Sequence, residues 1–204
     1  MSVDVVALLS PRLSTSDFCG AHPGVMALNP EIASLCAGAK AIGPARTARL
    51  SPGENGAIHR VIHAAGTGDF IVVSAGGERA PGRFGSLLAL SCRHRGVAGL
   101  VIDGAVRDVA ELRATGFPVF ALCRSPMQAA KVARDQIDCE VECGGVVIRP
   151  GDIIVGDDDG VVAMFPGIAM SVAENVGILR ARELLARERV RCGESTCEIF
   201  GIDT

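Results

Sequence analysis

Residues 95–118, RGVAGLVIDGAVRDVAELRATGFP, constrain this chain more than any other stretch. Residues 97–102 are apolar, rich in Val and Ile and too few for a helix, which predicts a buried strand ending at the turn-forming pair Asp103-Gly104. A helix starting at Glu111 follows, then Gly116-Phe117-Pro118 and a second strand over residues 119–122. Arg107 and Asp108 therefore sit just past the C-terminal edge of a strand. In open α/β sheets that edge is where ligands bind, because loops converge side chains there while the sheet holds them still. A guanidinium holds a carboxylate bidentately, and a neighbouring carboxylate holds a hard divalent cation through oxygen, so the pair can grip a 2-oxo acid at both ends. The plainer alternative is a local ion pair at a strand end.

With 204 residues the chain can fill one good core and is short for two, so residues 1–204 are expected to form a single domain. Its aromatics are all Phe, 7 of them beside 25 glycines, so the core is built from Ala, Val, Ile and Leu in thin layers, which favours α/β over a sandwich. Net charge is −3, with 20 basic against 23 acidic residues and no basic block, so neither nucleic acid nor an anionic membrane is an expected partner. No apolar run approaches the roughly 20 residues that cross a bilayer, and no basic region leads into a signal-like core, so the expected location is cytoplasmic. The 8 cysteines are scattered through core-like segments and are expected as free thiols. Cys139 with Cys143, and Cys192 with Cys197, have spacings unusual for structural zinc and no nearby His.

Several other segments carry residues that chemistry can use. Ser14 to Asp17 supply capping groups for a short helix, with Asp17 in a structural role. His59 and His63 share one face of a helix over residues 55–65, a two-ligand arrangement that lacks a third ligand in register. Residues 78–88, ERAPGRFGSLL, lead into a helix at 86–95 whose first amides, at Gly85, Ser86, Leu87 and Leu88, form an anion receptor suited to a carboxylate. Asp157-Asp158-Asp159 beside Gly160 invites a calcium reading, but the spaced ligands and distal Glu of an EF-hand are missing and a strand-joining turn fits better. Residues 166–191 have helical period, with Arg180, Arg182, Glu183, Arg187 and Glu188 along a charged face.

The runs GVAGLVIDGAVRD (96–108) and ELRATGFPVFA (111–121) occur with GPARTARL (43–50), GDFIVVSAGG (68–77) and RPGDIIVGDDDGVVAMFP (149–166). Together they resemble the family of class II 4-hydroxy-4-methyl-2-oxoglutarate and 4-carboxy-4-hydroxy-2-oxoadipate aldolases, which also holds the regulator of ribonuclease activity A. The likeness spans roughly residues 13–194. It implies a single α/β domain, a mixed sheet layered with helices like the swivelling phosphohistidine domain, assembled as a homotrimer or as a hexamer of two trimers.

The resemblance also implies a lyase that uses Mg²⁺ or Mn²⁺ on a 2-oxo acid. Such an enzyme performs retro-aldol cleavage to pyruvate or decarboxylation of oxaloacetate, both through the pyruvate enolate. In that picture Arg107 binds the substrate carboxylate or C2 oxygen, Asp108 holds the cation largely through waters, and the amides of Gly85, Ser86, Leu87 and Leu88 receive the carboxylate. The C-terminal helix, about residues 167–191, packs on a neighbouring subunit and brings Glu183 to its site. One position departs from the pattern. The aldolases carry a carboxylate separated by twenty residues from the Arg-Asp pair, and here that position is Ser86, which would flank the proton-transferring water together with Glu183. A serine is a poor proton shuttle at neutral pH, so the departure tilts expectation toward decarboxylation or toward an altered substrate. The other branch of the family is a binding protein that contacts an RNA-processing enzyme and lacks the acidic metal ligand. Asp108 argues against that branch, and Ser86 argues for it or for a specialised pathway enzyme with altered chemistry.

Overall fold

The computed structural model describes residues 4–12, 14–132 and 136–203, so Leu13, where the resemblance begins, and both ends of the expected domain lie outside them. Helices α1 (Val5–Leu9) and α2 (Thr15–Ala21) precede strands β1 (Val25–Ala27), β2 (Ala33–Ser34) and β3 (Ala41–Arg49). Helices and strands then alternate: α3 (Gly56–Ala64), β4 (Phe70–Ser74), α4 (Ser86–His94), β5 (Gly99–Val106), α5 (Val109–Thr115) and β6 (Val119–Arg124). Short strands β7 (Gln136–Ile137), β8 (Val141–Cys143) and β9 (Val146–Ile148) lead to the hairpin of β10 (Ile153–Asp157) and β11 (Gly160–Met164). Helices α6 (Ala169–Arg191) and α7 (Thr196–Phe200) follow.

The main sheet is mixed, in the order β1-β11-β10-β3-β4-β5-β6-β2, with β7 on β3. Strands β3, β4, β5 and β6 run parallel, as the helical crossovers between them require. The hairpin and β1 add antiparallel strands on one side and β2 adds one on the other. The sheet curls until Phe120 of β6 packs across its interior onto Gly156 of β10, where a Cβ would lie 2.5 Å from the ring. Phe70 stacks on Phe120 inside the curl at a centroid distance of 6.2 Å. Helices α3, α4 and α5 cover one outer face with a second apolar layer. The first turns of α6, with α1 and α2, cover the β10–β11 hairpin with a third. This is the layered α/β domain that the thin aliphatic composition predicts.

All eight residues of β5 are buried, and the strand runs four residues past the expected end at Ile102. Asp103-Gly104 is not a turn but an irregularity in the pairing with β6, whose register shifts between Ile102 and Ala105. The buried Asp103 carboxylate accepts a hydrogen bond from the Ala75 amide, so the polar side chain is satisfied inside the sheet and the strand continues. Gln136–Ile137 pairs with β3, and the hairpin around Gly144-Gly145 joins Val141–Cys143 to Val146–Ile148.

The acidic turn between β10 and β11 is a structural tie. Asp157 accepts from the Thr15 amide at 2.9 Å and the Thr15 hydroxyl at 2.6 Å, pinning the start of α2. Asp159 accepts from the Ser16 hydroxyl at 2.7 Å, and Asp158 from the Gly38 amide at 2.9 Å. Asp17 in turn pairs with Arg180 of α6 at 2.7 Å, which gives it the structural role expected. Among the described residues no group of three or more His, Cys, Asp or Glu is placed to hold a metal, and all 8 cysteines are free. Asp157→Ala should therefore destabilise the protein by about 2 kcal/mol or more, because buried donors lose their acceptor. Asp158→Ala, near the surface, should cost less than about 0.5 kcal/mol. Urea unfolding measures both, and added Ca²⁺ should leave the melting temperature of the wild type unchanged.

Candidate active site at the tip of helix α4

Only Arg107 and Asp108 separate the end of β5 from the start of α5. The clamps on this junction are backbone bonds: the Arg107 amide donates to Phe84 O and the Ser125 amide to Val106 O, both at 2.9 Å. Asp108 holds the N-cap position of α5 but does not cap it, and its backbone is left-handed, with φ 56° and ψ 41°. Outside glycine that conformation costs roughly 1 kcal/mol, least for Asn and Asp. The strain turns the carboxylate toward α4. A Cβ on Gly85 would lie 2.5 Å from Asp108 Oδ2 and 3.2 Å from Arg107 Cγ, so the approach requires glycine at 85. An acid held in a strained conformation and not used as a cap is a candidate functional position.

Gly85 is the N-cap of α4 and brings no side chain to satisfy the first amides. Leu88 N and Ala89 N both donate to Gly85 O at 3.1 Å. The Leu88 amide, expected as a substrate donor, is thus committed within the helix, while the amides of Ser86 and Leu87 take no partner among the described residues. The tip keeps a partial positive charge over those two donors.

Ser86 does not leave the tip without an acid. Its hydroxyl donates to Glu111 Oε2 at 2.5 Å, and Glu111 stands in the first turn of α5, three residues after Asp108. The two carboxylates therefore approach consecutive residues of the tip, Asp108 at Gly85 and Glu111 at Ser86. Sequence reasoning missed Glu111, because an acid in a first turn reads as ordinary dipole compensation. The usable signal was the Asp-x-x-Glu spacing, which puts both acids on one side of a helix start.

Arg107 Nε lies 3.2 Å from Asp108 Oδ1, so the ion pair of the plainer reading exists. It does not face open solvent alone, however, because both residues line a cavity of about 130 Å³ together with Gly85, Leu87 and Leu88. That is room for a few water molecules at about 30 Å³ each, or for one small acid. Buried Asn55 and Arg83 also line it, the latter ion-paired with Glu78. His59, Gln128 and Lys131 also line it and are exposed. His59 is held below the usual histidine range by partial burial and by the Lys131 ammonium, which keeps the ring neutral at pH 7. Its helical neighbour His63 faces Arg95 at 3.2 Å instead, so the two rings do not act as one ligand pair.

The structure does not bring Glu183 to this cavity within one chain. Glu183 lies on the outer half of α6 and pairs with Arg187 at 2.5 Å. The buried residues of α6 are Ala169, Val172, Ala173 and Val176, whereas Ile178, Leu184 and Leu185 farther along are exposed. Asp108 lines the cavity, whereas Glu111 does not and reaches the helix tip through its bond with Ser86. Two carboxylates suit Mg²⁺, which keeps several waters and seldom takes an all-protein shell.

The strain at Asp108 is testable apart from any activity. Both Asp108→Ala and Asp108→Gly delete the carboxylate, but only glycine relaxes at φ 56°. The glycine variant should be about 1 kcal/mol more stable than the alanine variant in urea unfolding, and equal stabilities would remove the strain from the description.

The family model described as "RraA-like: Aldolase/RraA" matches residues 15–163. A 4-hydroxy-4-methyl-2-oxoglutarate aldolase of Thermus thermophilus is 31% identical over 150 residues, covering 74% of this chain and 91% of that protein. Among solved structures, the RNA-processing inhibitor RraA from Thermus thermophilis superposes with a TM-score of 0.69 at 30% identity, covering 74% of this chain and 92% of that one. Streptomyces coelicolor RraAS2, described as an unusual member of the RNase ES inhibitor RraA family, gives 0.80 at 29% identity, covering 92% and 97%. The match runs through the site just described, from the α4 tip to Arg107, Asp108 and Glu111, and the chain belongs to the RraA-like aldolase family.

Proposed function

We propose that this protein is a divalent-metal-dependent lyase that breaks the C3–C4 bond of a 2-oxo acid, by retro-aldol cleavage to pyruvate, by decarboxylation of oxaloacetate, or by both. The observation that carries the reading is the convergence of Arg107, Asp108 and Glu111 on the uncapped tip of α4. The Ser86 and Leu87 amides and the Arg107 guanidinium would take the substrate carboxylate and C2 oxygen, a preformed set of donors. Asp108 and Glu111 would hold Mg²⁺ or Mn²⁺. When bound, the cation acts as a Lewis acid toward the oxygen on which charge develops. Bond cleavage leaves an electron pair on C3 that delocalises onto the C2 oxygen, which the donors at the tip would receive.

Retro-aldol cleavage must also move the proton of the C4 hydroxyl, whereas decarboxylation does not. The bond from Ser86 to Glu111 brings an acid to the position where serine itself has none, so it supports retro-aldol chemistry alongside decarboxylation. Glu183 enters this reading from a neighbouring copy in a homotrimer or hexamer, consistent with its place beside exposed Leu184 and Leu185 on α6. A non-catalytic role in RNA processing is the second reading, favoured by what the two solved relatives are described as doing.

Turnover of oxaloacetate and of a 4-hydroxy-2-oxo diacid, each with Mg²⁺ and with chelator, separates the two. The expected result is metal-dependent turnover of at least one compound and Mn²⁺ binding that Asp108→Ala abolishes. Glu111→Gln should lower kcat/KM by about 10- to 100-fold, the range for groups that support a metal site. Activity that survives chelation would count against the metal dependence, and none on either compound would count against the lyase and leave the binding role.

A further inference from the structure

Asn55 occupies the N-cap position of α3, where an Asn side chain ordinarily accepts from the first helical amides. Here it makes no such bond. The residue is 8% exposed and lines the same cavity as Arg107 and Asp108. Its backbone is fixed, because the Asn55 amide donates to Ala130 O at 2.9 Å. Its side chain is oriented as well, because Nδ2 donates to the Arg83 carbonyl at 3.0 Å. That bond settles which end of the amide is which and leaves Oδ1 as the acceptor. Among the described residues, Asn55 Oδ1 is buried and has no donor.

A buried acceptor beside a cavity calls for a donor from whatever the cavity takes. The carboxylates and ketone of a 2-oxo acid are acceptors only, so they cannot serve. An alcohol hydroxyl can. We propose that Asn55 Oδ1 accepts a hydrogen bond from a substrate hydroxyl, which makes Asn55 the residue that distinguishes hydroxylated 2-oxo acids from those without the group. This rests on the cavity being a 2-oxo acid site, as above. The discrimination works through the unpaired atom: a substrate lacking the hydroxyl leaves Oδ1 buried without a partner, and sites built this way reject such analogues strongly. A carboxylate in place of the amide keeps an acceptor, whereas an aliphatic side chain removes it.

The experiment uses the full chain with Mg²⁺ and two compounds that differ only at C4, 4-hydroxy-2-oxoglutarate and 2-oxoglutarate. A compound that the enzyme turns over is followed by kcat/KM, and one that it does not is followed by its calorimetric dissociation constant. Asn55→Leu should weaken the hydroxylated compound by about tenfold or more while changing 2-oxoglutarate less than about twofold. Asn55→Asp should retain part of the preference. Equal losses on both compounds, or no loss on either, overturn the proposal. If Asn55→Leu does not fold, Asn55→Asp and the wild type decide: Asn55→Asp that keeps no preference, or a wild type that binds both compounds equally by calorimetry, overturns it. If neither compound is turned over, retro-aldol cleavage fails while a calorimetric preference that Asn55→Leu removes would still sustain hydroxyl recognition.

Discussion

The site depends on how closely the start of α5 approaches the tip of α4. That approach is possible because residue 85 has no Cβ and because Asp108 accepts a left-handed backbone. Either feature alone would achieve little. With a side chain at 85 the Asp108 carboxylate would be displaced, and with Asp108 in the extended conformation of an ordinary N-cap the carboxylate would swing back to cap its own helix. The sheet holds both partners in place, since β5 is buried along its whole length and delivers Arg107 and Asp108 at its end. A rigid parallel strand, a strained two-residue link and an uncapped helix tip thus form one unit.

The distribution of charge around this unit follows from polar groups that must be satisfied. Arg83 is buried, and its ion pair with Glu78 compensates it. Asp103, beneath the site, is pushed upward from the usual carboxylate range by burial and pulled back by backbone amides and the Arg83 guanidinium. What remains facing the cavity is predominantly cationic, with Arg107 and Lys131 set against Asp108. A site of this kind suits a substrate carrying more than one carboxylate, and more so when a divalent ion engages the acids.

Much of the fold was legible in the sequence. The strand that begins at residue 119 is there as read, and so are the helix that ends at Arg191 and the hairpin with the triple-Asp turn. The misreadings share a cause, which is that distant residues decide what a local pattern means. Asp103-Gly104 reads as a turn until the Ala75 amide, 28 positions earlier, satisfies the Asp inside the strand. Residues 136–137 have a partner only once β3 passes alongside. At the site, Arg107 and Asp108 were found because strand ends and charged pairs leave a readable pattern. Glu111 and Asn55 were not, because a first-turn acid and an Asn before a helix are what ordinary capping produces, and only the fold shows that neither caps. His59 was weighed as half of a metal pair when its position on α3 instead places it in the cavity lining. Glu183 lies outside the cavity of its own chain, so one sequence and one protomer cannot join it to Arg107.

The most direct measurement is a crystal structure with Mn²⁺ and oxalate, a stable mimic of the pyruvate enolate. The proposed lyase requires an anomalous peak between the Asp108 and Glu111 carboxylates, with oxalate oxygens on the Ser86 and Leu87 amides and on Arg107. A metal bound elsewhere, or an oxalate that ignores the tip of α4 while Asp108 stays paired with Arg107, would contradict it.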